Sequence, residues 1–388
     1  MHMLTPRALA APATIAAVAV LVTAPGSSAT PHARQPAPIG GARLGGHGLL
    51  LNPAAGVQKP PKVSASSYVI ADADTGQILA AKDPHGYYRP ASTLKILTAV
   101  TLIPRLDQNK VIKPSWKACN TEGSRVGIVP NMKYKISDLF RGMLMVSGND
   151  AAVSLAQQPP GGMTKTLELM NTEAKRLQGY DTVAKTPNGL DRKGQHSSAY
   201  DLALFARHGL QDPRFRDYIG KVSFKFPAPA TKKERKKKKS GGFMIYNHDR
   251  LLTQYKGGMG VKNGYTTKAM GTFVGAAKRN GHTILIALMH SKPFFWDDAK
   301  HMLTWGFSAR GKVRPVGGLV GPAASAKPSP TASTMNQTPA AHARPGASGS
   351  NGLLGGIGVP AIAIACGVLI LFGGVGYTVA RRRRRWFS

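Results

Sequence analysis

The sequence predicts an α/β fold of the α+β kind, with one antiparallel sheet, helices packed against it and a helical subdomain. Strand-like runs with turn signals lie at both ends of residues 65–309, and amphipathic helical patterns fill the middle. The stretch is long enough for one substantial core, and no internal repeat is visible.

Taken in order, "SSYVIADADTGQILAAKD" opens this stretch. Residues 68–72 and 77–81 read as strands joined by a turn at Asp74-Thr75-Gly76. "PASTLKILTA" reads as a helix start followed by an apolar helix. "ISDLFRGMLMVS" is a helical pattern starting at Ser137 or Asp138, and "DAAVSLA" is another. "MTKTLELMNTEAKRLQG" stops at Gly179, and "SAYDLALFARHGL" is the last helix. Strands return with "MGVKNGY", "GTFVGAAKR" and "HTILIALMH". The last two are joined by Asn280-Gly281, a strong hairpin signal.

The flanks differ in kind. Arg7, an apolar run over 8–22 and small residues near Ala29 make 1–29 a secretory signal peptide. Residues 30–64, rich in Ala, Gly and Pro, read as a flexible spacer, and the Ala/Pro/Ser/Thr-rich 310–352 as a linker. Residues 353–380 hold an uncharged apolar run long enough to span a bilayer, and five arginines at 381–385 mark the basic tail 381–388 as cytoplasmic. The expected protein is single-pass in the cell membrane with its body outside.

Net charge is +34, from 52 basic and 18 acidic residues. On an exported protein this suggests anionic envelope polymers or lipids as partners. Nucleic acid is not expected, since there is no stacking module or zinc pattern. "KKERKKKK" (232–239) reads as a solvated loop insertion. Cys119 and Cys366 form no disulfide framework, and the eleven histidines lack metal-ligand spacing, so neither metal nor cofactor is expected.

The chemistry starts in "PASTLKILTA". Ser92 and Lys95 are three apart and share one helix face. A serine hydroxyl needs a base, and a lysine serves only when neutral, which burial and nearby positive charge favour. The helix dipole adds positive potential and favours negative charge developing on Ser92. "VSGNDAA" supplies Ser147 and Asn149. Spaced by two on an extended segment, they point into one cleft, Ser147 to relay a proton to the departing amine and Asn149 to bond a substrate amide. "GVKNGYTT" supplies Lys262 on a strand, to bind a carboxylate or steady the charge of Lys95, then Asn263 and Gly264, where substrate can lie close.

Ser-x-x-Lys, Ser-x-Asn and Lys-x-Gly, in this order and context, form the motif set of penicillin-binding proteins and serine β-lactamases. Together with "YRPASTLKILTA", "GMLMVSGNDAAVSLA", "LMNTEAKRL", "TPNGLDRKGQHSSAYDLALFAR" and "KNGYTTKAMGTFVGAAKRNG", they make residues 66–291 resemble the low-molecular-mass D-alanyl-D-alanine carboxypeptidases. The resemblance implies a β-lactamase/transpeptidase-like fold and removal of the terminal D-Ala from peptidoglycan stem peptides. It also implies acylation of Ser92 by β-lactams, with the backbone N–H groups of Ser92 and Tyr265 as the oxyanion hole. One departure stands out: Asn263 replaces the family's usual threonine, which helps hold the substrate's terminal carboxylate. That substitution and the basic charge are the features that would suit a catalytically impaired penicillin- or wall-binding module. A β-lactamase would need a deacylating carboxylate after the second motif. Glu168 and Glu173 are the nearest glutamates, but they lie in a stretch resembling the carboxypeptidases' helix.

Overall fold

Residues 37–237 and 240–323 are described by the computed structural model of the protein. Along the chain come β1 (Leu49–Leu51), β2 (Ser67–Asp72) and β3 (Gln77–Lys82), then a 3-10 turn (Ala91–Leu94) running into α1 (Lys95–Leu102). Next are β4 (Val111–Ile112), α2 (Trp116–Cys119), β5 (Tyr134–Lys135), α3 (Ile136–Met145), α4 (Asn149–Ala156) and α5 (Gly162–Arg176). They are followed by α6 (Ala199–Gly209), α7 (Pro213–Gly220), β6 (Ser223–Pro227), α8 (Lys232–Lys236), β7 (Gly242–Tyr246) and α9 (Leu251–Gln254). The chain then forms β8 (Gly258–Thr266), β9 (Met270–Arg279), β10 (His282–Ser291), α10 (Trp296–Ala309) and β11 (Gly317–Gly318).

The main sheet has the order β1-β3-β2-β10-β9-β8, and β11 also pairs with β3. Its pairings are antiparallel, as the sequence predicts. β2 is buried along its whole length because both faces are covered. Val69 and Ala71 point into a core shared with α1, α3, α4 and α6, while Ile70 joins Met302 and Leu303 of α10 on the other side. This two-sided cover explains why β2 reads as a continuous apolar run rather than an alternating one. Each large side chain buried here contributes roughly 1.5–3 kcal/mol.

Two expectations are corrected and one unassigned segment gains an element. Residues 37–64 are not a spacer: Leu44 is fully buried, β1 extends the sheet along β3, and Trp305 Nε1 donates to the Gln58 carbonyl at 2.8 Å. The linker does not start at 310, because Val313, Val316 and Leu319 are buried and β11 follows β1 along the same edge of β3. In both segments a few apolar residues amid Gly, Ala and Pro suffice to cover a sheet edge. Finally, 296–309, given no element from sequence, is α10. Its stripe at Ala299, Met302, Leu303, Gly306 and Ala309 has helical spacing but includes small residues. Gly306 lets the helix sit close on the sheet, since a Cβ there would lie 2.6 Å from the Ile284 side chain.

The expected signal peptide (1–29), membrane span (353–380) and tail (381–388) lie outside the described residues. Among the described residues, no helix is long and apolar enough to cross a membrane.

Candidate active site

The turn carrying Ser92 is held from three directions. Thr272 Oγ1 of β9 donates to the Pro90 carbonyl at 2.9 Å. Gly189 presses on the turn so closely that a Cβ there would lie 1.8 Å from the Ala91 oxygen, and a Cβ on Gly264 would lie 2.7 Å from the Ser92 nitrogen. Ala91 adopts a φ of 46°, a left-handed conformation that costs a non-glycine residue about 1–3 kcal/mol. Gly264 therefore serves the approach of β8 to the nucleophile's turn as well as room for substrate.

Ser92 lies in the 3-10 turn and Lys95 opens α1, so the pair belongs to a turn leading into a helix rather than to the helix itself. In a 3-10 turn, residues three apart eclipse, and Lys95 Nζ lies 2.8 Å from Ser92 Oγ. Lys95 is completely buried. Its other two contacts are the Asn149 Oδ1 at 2.7 Å and the Asn188 carbonyl at 2.8 Å. Asn149 Nδ2 donates to the Glu122 carbonyl at 2.7 Å, which turns Oδ1 towards the lysine. Two pure acceptors thus take the two N–H groups of a neutral amine and leave its lone pair facing the Ser92 hydroxyl. Burial first, and then the neighbouring charge of Lys262, hold Lys95 well below the usual ammonium range, opposed by Asp150.

The second motif departs from expectation. Ser147 is left-handed, with φ 62°, and Asn149 is the first residue of α4, so the segment is not extended. Ser147 is buried and makes no hydrogen bond among the described residues. Asn149 bonds Lys95 and the Glu122 carbonyl, which leaves one amide N–H unused. Asp150, fully buried, accepts from the backbone N–H groups of Val126, Gly127 and Ile128 at 2.8–3.1 Å. Its carboxylate therefore straps the loop after Glu122 beside the lysine's partner.

Lys262 of β8 is also buried. Its ammonium donates to the Asn263 carbonyl at 2.7 Å and, more weakly, meets Asn263 Oδ1 at 3.4 Å. Burial lowers Lys262 to about 7, while the charge of Asp249 acts to raise it. Asp249 is itself pushed up to about 7 by burial, and its Oδ2 has no partner among the described residues. Tyr265 is exposed at the end of the motif.

Sequence reasoning missed Asn188, Asp150 and Asp249. Asn188 acts through its backbone carbonyl, which no side-chain pattern reveals. Asp150 looks like an ordinary acid in a helix's first turn. Asp249 carries no spacing signal.

Residues 54–292 match the family described as D-alanyl-D-alanine carboxypeptidase, peptidase S11. The chain belongs to this family. As a D-alanyl-D-alanine carboxypeptidase family member it is a serine carboxypeptidase, a hydrolase. It is 37% identical over 255 residues to the D-alanyl-D-alanine carboxypeptidase DacB2 of Mycobacterium tuberculosis, covering 64% of this chain and 84% of DacB2. Against DacF of Bacillus subtilis it is 31% identical, covering 59% of this chain and 58% of DacF. A crystal structure of a D-alanyl-D-alanine carboxypeptidase from Mycobacterium tuberculosis superposes with a TM-score of 0.63 at 36% identity, covering 68% of this chain and 98% of that one. The Streptomyces K15 DD-transpeptidase shares the fold at 23% identity, with a TM-score of 0.60 over 65% of this chain and all of that one.

Proposed function

We propose that this protein is a membrane-anchored, extracellular serine D-alanyl-D-alanine carboxypeptidase that trims the terminal D-Ala from peptidoglycan stem peptides through an acyl-enzyme on Ser92. The observation that carries the proposal is the 2.8 Å contact between Ser92 Oγ and a completely buried Lys95.

Neutral Lys95 takes the hydroxyl proton as Ser92 Oγ bonds to the carbonyl carbon of the penultimate D-Ala. The oxyanion forms against the Ser92 and Tyr265 N–H groups, where one such donor is worth about 10²–10³ in rate. Collapse breaks the C–N bond. Ser147 hands the leaving nitrogen a proton drawn from Lys95, and Lys262 holds the terminal carboxylate. Water then attacks the ester by the reverse route and restores Ser92. β-Lactams, which present a carboxylate and a strained amide to the same groups, acylate Ser92. The signal at 1–29 and the apolar run at 353–380 with its arginines support export and anchoring.

D-Ala release from a pentapeptide ending in D-Ala-D-Ala tests the proposal. Ser92→Ala should abolish release and labelling by a fluorescent penicillin while the protein stays folded. Lys95→Ala should do nearly the same, and the double variant no worse, because the pair acts as one unit. Retained release by Ser92→Ala would overturn the mechanism.

A further inference from the structure

Residues 232–237 of the lysine-rich insertion sit at the tip of the β6–β7 hairpin, which the sequence does not predict. Thr231 and Glu234 form a capping box that winds Lys232–Lys236 into one helical turn. Glu234 is the only acid there, and it is turned back on Thr231, accepting from its N–H at 2.8 Å and its hydroxyl at 2.7 Å. Lys232, Lys233, Arg235, Lys236 and Lys237 are all exposed. Among the described residues, none of the five has an acidic partner within 4 Å.

Below the tip, the hairpin has two unlike faces. Phe226 and Ile245 point inward and join the core, with Phe226 stacked on Tyr134. Outward lie Lys225 with its cross-strand partner Met244, then Tyr246 opposite Ser223, and Lys225, Met244 and Tyr246 are exposed. The strand then runs on to His248, whose N–H donates to the Met145 carbonyl at 2.9 Å, two residues before Ser147. A stripe of unpaired cations and exposed apolar side chains therefore leads from the hairpin tip to the edge of the cleft.

We infer that this hairpin is a docking surface for a phosphodiester chain polymer attached to the cell wall, and that it brings wall-borne peptidoglycan to Ser92. The inference rests on the proposed function for its substrate. Charge complementarity selects a polyanion. Four of the five cations among the described tip residues are lysines, point charges suited to spaced phosphates rather than to the paired oxygens that an arginine fork grips. The exposed apolar residues Phe243, Met244 and Tyr246 run from just below the tip towards the cleft. A flexible chain can touch both, whereas a bilayer met by the lysines leaves Tyr246 behind.

The test uses the full chain in detergent, with Lys232, Lys233, Arg235, Lys236 and Lys237 all changed to Gln. Binding of purified polyglycerol phosphate, measured in a Ser92→Ala background, should weaken at least tenfold at low salt. The slope of log affinity against log salt should flatten by about 3.5, as expected when five phosphate contacts to a single-chain polyanion are lost. With Ser92 present, release from a soluble pentapeptide should be unchanged. Release from sacculi carrying the polymer should fall, and acid-stripping the polymer should erase the difference. Unchanged polymer binding by the variant would overturn the inference, as would a larger loss, in the variant, of binding to anionic phospholipid in mixed detergent micelles at matched phosphate. Polymer binding that follows the tip charges in a protein releasing no D-Ala would uphold the docking surface and refute the functional proposal.

Discussion

Lys95 and Lys262 are both buried lysines held below their ordinary range, and the proposed chemistry asks opposite things of them. Lys95 must be neutral to accept a proton, so activity rises with pH through its depressed value. Lys262 must be charged to hold a carboxylate, so kcat/KM should fall as pH climbs past about 7. Asp249 raises Lys262, so removing its charge should move that falling limb to lower pH. A pH–rate profile of Asp249→Asn with its limb unmoved would refute this pairing. Asn263 acts on the same ammonium, since its Oδ1 lies 3.4 Å from Lys262 Nζ and competes with an incoming carboxylate. One hydrogen bond to a charged group is worth about 1.5–3 kcal/mol, and the low end of that range is about tenfold. Asn263→Thr should therefore raise peptide kcat/KM about tenfold and speed penicillin acylation in parallel. Rates unchanged or lowered would mark Asn263 as a substrate contact in its own right.

At the level of elements, the site depends on β8 lying hard against the 3-10 turn. Gly264→Ala would place a Cβ 2.6 Å from Thr272 Oγ1 and 2.7 Å from the Ser92 nitrogen, driving the strand from the turn and opening the oxyanion hole. Loss of one donor predicts a fall in kcat of about 100-fold, with labelling of Ser92 slowed to match; near-normal kcat would contradict the assigned hole. These contacts also explain what was legible in advance. The strands and helices around the motifs carry period or turn signals, as at Asn280-Gly281, and they form close to the expected bounds. Ser92, Lys95 and Lys262 are tied to those elements by spacing. The geometry of Ser147 and Asn149 was not legible, because a left-handed serine ahead of a new helix is imposed by tertiary packing rather than by local propensity. The β6–β7 hairpin was hidden too, since its strands are short and a lysine-rich insertion separates them. The same holds for β1 and β11, where sheet pairing falls in composition typical of loops.

For the whole molecule, β11 marks where the catalytic unit needs its chain. Truncation near residue 350 should release a soluble, active ectodomain. Truncation at 310 should remove Val313, Val316 and Leu319 from the core and cost about 1.5–3 kcal/mol for each, read as a lower melting temperature. Protease added to intact cells should digest the catalytic unit and spare a tag after 385, and the reverse pattern would invert the proposed topology. The sheet order carries a kinetic consequence. β2 is an interior strand, and its second neighbour, β10, lies more than two hundred positions away, with Ser67 opposite Met289. Until β10 arrives, the β2–β3 hairpin has a bare apolar edge and nothing to close against. Such non-local pairing slows folding, because loop-closure entropy is lost before the contact is gained. A nascent chain of this design stays open until its final third is made, and so remains threadable through an export channel for most of its synthesis.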